Sequence, residues 1–269
     1  MYRKDRSTNA DSASSARVEG SSGPLADGGR RTLWRRWFVG VTAGEFLGFL
    51  APASAGALTV DAAASIAAAA LLLAGVIEGG ILGWFQARVL RAVIAEFRSI
   101  RWIGATICGA LVAWSVGTVP MLTDGLAGWP PIAVVAAAAI GGAVLLSSIG
   151  VAQWLVLRRL IPGAVRWIWA TALAWLGGLG AFTAFTTPLW QPGQTRVVVL
   201  AIGVVGGVLM AAVMAAITGW FLVRLLSPSS MATNVPRRRD RGPWFAGAGL
   251  GRIGVVRSPG SPPPSGEMS

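Results

Sequence analysis

The sequence predicts an all-α polytopic membrane protein, with six transmembrane helices arranged as three parallel two-helix hairpins. Three observations carry this. Of 269 residues, 54% are hydrophobic and only 13% charged, about half the share of roughly 25% usual in soluble domains. The mean hydropathy is +0.63. Finally, long uncharged stretches alternate with arginine clusters, and an Arg-Trp pair returns at Arg36, Arg101 and Arg166. This composition excludes a disordered chain, a disulfide framework and an ordinary soluble domain. With no histidine and a single cysteine, Cys108, no intrachain disulfide can form. A His-based metal site and any Ser-His or Cys-His catalytic arrangement are also excluded. The expectation is a non-enzyme with no metal and no cofactor.

The spans follow in order. A bilayer core of about 30 Å needs about 20 mostly apolar helical residues. The stretch from Trp37 to Ala87 breaks around Pro52 to Asp61, which predicts helices over roughly 34–52 and 62–87. Between Arg101 and Arg158 the only charge is Asp124, and Pro120 to Pro131 divides the stretch into 102–121 and 132–157. Between Arg166 and Arg224 the only charge is Arg196, and Pro188 to Arg196 divides it into 167–187 and 197–224. The transmembrane domain is thus 33–226, with hairpins 33–91, 101–160 and 166–226. Residues 1–32, rich in Ser, Gly, Asp and Arg, read as a disordered tail. Residues 227–269 read as a disordered basic, Pro-rich tail carrying Arg237-Arg238-Arg239 and Pro262-Pro263-Pro264. Trp244 and Phe245 are its candidates for contact with the membrane interface.

The formal net charge of +12 comes from 23 basic and 11 acidic residues. With six spans, 22 of the 23 basic residues fall on one side, and the other holds Arg196 with Asp61 and Asp124. The positive-inside rule places that basic side, and with it both termini, in the cytoplasm. A nucleic-acid partner would need a basic face on a soluble domain, whereas these charges cap helix ends, so no nucleic acid is expected. Arg30-Arg31 before an apolar stretch ending at Ala53-Ser54-Ala55 also resembles a twin-arginine signal peptide. Glu45 is unusual in such a region, and Arg36-Trp37 is in phase with the repeat, so the uncleaved six-span reading is preferred. Trp34, Trp37, Trp84, Trp102, Trp154, Trp167, Trp169 and Trp220 lie near cytoplasmic helix ends, with Trp129 and Trp190 at outer loops. They read as interfacial anchors. Trp114 and Trp175 are deeper and expected to pack between helices, as is Cys108.

Arg36-Trp37, Arg101-Trp102 and Arg166-Trp167 are spaced by 65 residues, and Thr42, Thr106 and Thr171 follow at nearly equal distances. The even helices repeat as well. Gly83–Leu90 matches Gly219–Leu226 at five of eight positions, and Gln86–Arg91 matches Gln153–Arg158 at four of six. A fixed period marks a repeated supersecondary unit. Parallel hairpins imply a pseudo-axis along the membrane normal, and hence a six-helix bundle, with room for a central cavity. The runs Gly150-Val-Ala-Gln153-Trp154-Leu-Val-Leu-Arg158-Arg159 and Arg166-Trp167-Ile-Trp169-Ala-Thr171 resemble bacterial polytopic membrane proteins built from "QWLVLRR…W" helix hairpins. The resemblance covers about 100–226 well and the first hairpin loosely. It implies a multi-pass protein of the bacterial plasma (inner) membrane and brings no assigned activity. Mitochondrial carriers share the three-hairpin layout, but their Pro-x-acidic-x-x-basic signature is missing here.

Three small-residue stripes, Gly75-Gly79-Gly83, Gly109-Ala113-Gly117 and Gly203-Gly207-Ala211-Ala215-Gly219, permit close helix approach in lipid. They are expected within the bundle, with a homo-oligomer contact as the alternative. Glu45 lies nine residues beyond Arg36 and Glu78 ten before Arg88. At 1.5 Å per residue these are depths of about 13.5 and 15 Å, near the midplane of adjacent antiparallel helices. A charge there costs at least about 2.5–3.5 kcal/mol. The pair is therefore a candidate proton or cation site, weighed against a protonated carboxyl in a structural hydrogen bond. Leu145 and Met214 stand in the equivalent places of the other hairpins. Gln86 and Gln153 are candidates for polar packing between helices. Arg88, Arg91, Arg158 and Arg224 are candidates for contacts to anionic lipid head groups. Two function classes follow: a non-catalytic membrane scaffold or accessory subunit, and, as the alternative, a small transporter or channel-like protein using Glu45 and Glu78.

Overall fold

The computed structural model describes residues 27–227. Its elements are α1 (Asp27–Leu58), α2 (Ala64–Leu90), α3 (Ser99–Gly117), the one-turn α4 (Val119–Leu122), a 3-10 turn (Asp124–Leu126), α5 (Pro131–Leu157), α6 (Arg166–Leu189) and α7 (Arg196–Leu225). The described residues are all-helical. Six helices, all but α4, are long and apolar enough to cross a membrane. The expectations for most of the N-terminal tail, and for the C-terminal one with Arg237–Arg239, Trp244 and Phe245, lie outside the described residues.

The helix ends show how local chemistry acts. α1 already covers 27–32, the last residues of the segment expected to be tail, and the Thr32 hydroxyl donates back to the Gly28 carbonyl at 2.9 Å. Its far end was expected at Pro52, yet the helix runs on to Leu58 with Pro52 inside it. A proline removes one i→i−4 bond, and packing against the neighbouring helix outweighs that loss. Pro188 is likewise inside α6. α3 stops at Gly117, before the expected 121, and the chain reverses through α4 and a turn in which Gly125 takes φ 70°. Pro131 then opens α5 at a position where its missing N–H costs nothing.

The helices pack in a closed order: α1 on α2, α2 on α3, α3 on α5, α5 on α6, α6 on α7, and α7 back on α1. Glycines set the closest approaches. A Cβ at Gly109 would stand 2.6 Å from the Ile149 Cα, at Gly79 2.9 Å from the Ile107 Cα, and at Gly150 3.1 Å from the Ile168 Cα. Gly75 lies against the Trp114 indole, and Gly219 against Trp37. Within the stripes, Gly75, Gly79, Gly83, Gly109 and Gly219 meet the chain's own helices, while Gly117 is exposed.

The main core lies at the Arg-rich end and corrects the reading of three tryptophans as interfacial anchors. Trp37, Trp102 and Trp167 are each 0% exposed. The Trp167 ring centroid lies 5.7 Å from that of Trp37 and 6.0 Å from that of Trp102. Leu90, Leu157 and Leu222, one near the end of each even-numbered span, complete this core. Trp37, Trp102 and Trp167 lie near the Arg-rich ends of α1, α3 and α6 and point inward, with Trp167 between the other two. Trp84, Trp169 and Trp220 are exposed, and Trp175 packs in a smaller cluster with Ala174, Met210 and Met214. Cys108, expected to pack inside, is exposed. Its neighbours Gly109 and Ala110 take the inner face of α3.

Candidate functional site

Two polar groupings lie inside the bundle. The first binds the tryptophan core together. The Trp102 indole N–H donates to Gln86 Oε1 at 3.0 Å, and that of Trp167 to Gln153 Oε1 at 2.8 Å. The Trp37 indole donates to Thr218 Oγ1 at 2.9 Å. Each bond joins an odd-numbered span to the even-numbered span before it, with α1 following α7 around the closed order. Gln153 Nε2 also donates to Gln86 Oε1 at 2.8 Å and to Thr106 Oγ1 at 2.9 Å. The Thr106 and Thr171 hydroxyls donate to the carbonyls of Trp102 and Trp167, both at 2.9 Å. Gln86 and Gln153, singled out for polar packing, are therefore brought together at the centre, 4% and 1% exposed. The first span departs from this pattern. Val41 stands four residues after Trp37, where the other two spans have threonine, and the Thr42 hydroxyl is buried without a partner among the described residues. On α7 Leu222 occupies the place of the glutamines, and the acceptor moves one turn, to Thr218.

The second grouping lies on α1 and α2, toward the middle of the spans. Glu45 and Glu78 are each 5% exposed. Glu78 Oε2 accepts the Trp114 indole N–H at 2.7 Å. The backbone of α1 comes close because residue 48 is glycine: a Cβ there would meet the Glu78 Cγ at 3.3 Å. Glu45 stands one turn before Gly48, the residue of α1 that lies against Glu78. Thr42, three residues earlier on α1, has a buried hydroxyl without a partner among the described residues. The pair can share a proton or offer oxygens to a cation. In the third hairpin the corresponding Met214 is 2% exposed and packs its Cγ against Gly178.

The four arginines named for head-group contact are all exposed at the Arg-rich end. Three of them stack on the tryptophan four residues earlier: Arg88 over Trp84 at 4.8 Å, Arg158 over Trp154 at 5.1 Å and Arg224 over Trp220 at 3.6 Å from the ring centroid. Arg91 has no such tryptophan, since Ala87 precedes it by four. Sequence reasoning missed Trp114 as the partner of Glu78, and Thr106 and Thr218 as partners in the core. The equal spacing of Trp37, Trp102 and Trp167 was the signal that could have found the core. No family model matches the chain, and no curated protein or solved structure matches it.

Proposed function

We propose that this chain is a multi-pass protein of the bacterial plasma membrane, with both termini cytoplasmic, and that it acts there as a non-catalytic scaffold or accessory subunit. Its three hairpins are related by a pseudo-threefold axis along the membrane normal. The observation that supports this best is the tryptophan core. Three fully buried indoles and two bridged glutamines fill the Arg-rich end of the bundle with satisfied polar groups and leucines. Such a plug favours a rigid body over a conduit, because interiors packed at this density leave little room for water.

A second reading, a small transporter or channel-like protein, is favoured by one observation. Glu45 and Glu78 are both buried within the adjacent helices α1 and α2. Intramembrane carboxyl groups commonly mark proton or ion pathways. One experiment separates the two. The purified chain is reconstituted into vesicles enclosing a pH-sensitive dye, and a proton or sodium gradient is imposed. The scaffold reading expects the rate of empty vesicles. A flux that is lost in Glu45→Gln and in Glu78→Gln, both still folded, would replace it with the transporter reading. Membrane extraction followed by intact-mass measurement tests the uncleaved first span. A chain beginning near Gly56 would remove Trp37 and Val41 from the core and defeat the six-span architecture.

A further inference from the structure

We propose that the groove between α1 and α2 at the Arg-rich end is a binding site for one anionic phospholipid. The groove has a volume of about 520 Å³. A recess of about 410 Å³ shares Thr32, Arg36, Arg88 and Val89 with it and continues it toward the helix ends. Arg35 and Arg36 on α1 and Arg88 on α2 line the groove at the level where the spans begin, and Val39, Phe85 and Val89 line it deeper in. Three guanidiniums above an apolar slot match the two parts of a phospholipid, a phosphodiester and an acyl chain. Gly40 keeps the slot open. A side chain there would start 3.6 Å from the Val89 Cγ2, and a larger residue would fill the space between the helices.

Charge selects the occupant. Among the described lining residues of the groove and the recess none is acidic, so a zwitterionic head group would bring its cation against three guanidiniums. The comparable groove between α3 and α5 carries Arg98, Arg101 and Arg159 but also Glu96, which offsets part of its field. Arg88 is pre-positioned by stacking on Trp84, so less side-chain freedom is lost when it closes on a phosphate. Guanidinium forks suit phosphate oxygens geometrically as well as by charge.

The site rests on the membrane reading, and the test keeps the two failures apart. A chain found in the soluble fraction would defeat both. The full-length protein, extracted in a neutral detergent, is titrated with phosphatidylglycerol or with phosphatidylcholine of the same acyl chains, and retained lipid is read by native mass spectrometry. Phosphatidylglycerol should be retained in preference, by about fivefold for each arginine engaged. Arg36→Gln with Arg88→Gln should abolish most of that preference, whereas Arg98→Gln with Arg101→Gln should leave it. Val39→Trp, which keeps every charge and fills the slot, should also lose the lipid. Equal retention of the two lipids, or an unchanged preference in the Arg36/Arg88 variant or in Val39→Trp, would overturn the proposal. Inorganic phosphate is the third arm. If it binds without lipid and with the same dependence on Arg36 and Arg88, the site belongs to a soluble phosphate and the lipid assignment fails.

Discussion

The two ends of the bundle are held together differently. At the Arg-rich end, long side chains cross the interior: Trp37, Trp102 and Trp167 are fully buried and each donates a hydrogen bond to another span. At the opposite end Thr186 is buried against Gly206 of the third hairpin, but α3 and α5 of the second contribute little. The buried residues of α5 are Ile149, Gly150, Gln153 and Leu157, all in its last part, and those of α3 are Trp102, Thr106, Gly109 and Ala110, all in its first. Ile132, Val135 and Ile140 of α5 are 77%, 64% and 67% exposed, as suits a surface that faces lipid. Stability is therefore concentrated at one end, and the far end of the second hairpin relies on its surroundings.

Three measurements break or sharpen that contrast. Each is an unfolding titration of the purified protein in mixed micelles. Trp167→Ala should cost about 3–5 kcal/mol, the range for emptying a buried aromatic site. Trp129→Ala, at the opposite end and 53% exposed, should change stability by less than about 0.5 kcal/mol. Equal losses would mean that the tryptophan core is not what holds the bundle. Gln153→Leu should cost about 2 kcal/mol, because it strips Trp167, Gln86 and Thr106 of their shared partner and leaves polar atoms buried. A neutral outcome would make the network incidental to the packing around it. Smallest of the three, Gly109→Ala should cost about 1 kcal/mol by forcing α3 from the Ile149 backbone. Gly142→Ala, with nothing within 4 Å, should gain up to about 1 kcal/mol from helix propensity. The same sign at both positions would erase the difference between the ends.

Six spans were legible in the sequence because hydropathy and the charge gaps depend only on residue type and length. Their ends were less so. Pro52 reads as a stop in isolation, but a helix held on its neighbour carries a proline without ending. Glu45 and Glu78 could be placed near each other from depth alone, since rise per residue is fixed, while the Trp114 bond to Glu78 depends on how α3 rotates against α2. Trp37, Trp102 and Trp167 were misread for a specific reason. A tryptophan beside an arginine at a span's start has the composition of an interfacial anchor, and only the direction of its side chain distinguishes anchor from core. Cys108 illustrates the converse: an apolar residue in an apolar helix can face either way, and in lipid both are comfortable.

The closure of α7 on α1 bears on biogenesis. The acceptor for the Trp37 indole, Thr218, lies 181 residues further along the chain. α1 is therefore synthesised well before α7, and the Trp37 indole N–H has no access to this acceptor until α7 exists. The ring of described helices can close only once α7 has been synthesised and packs on α1. A chain arrested before Thr218 leaves the Trp37 indole without this acceptor.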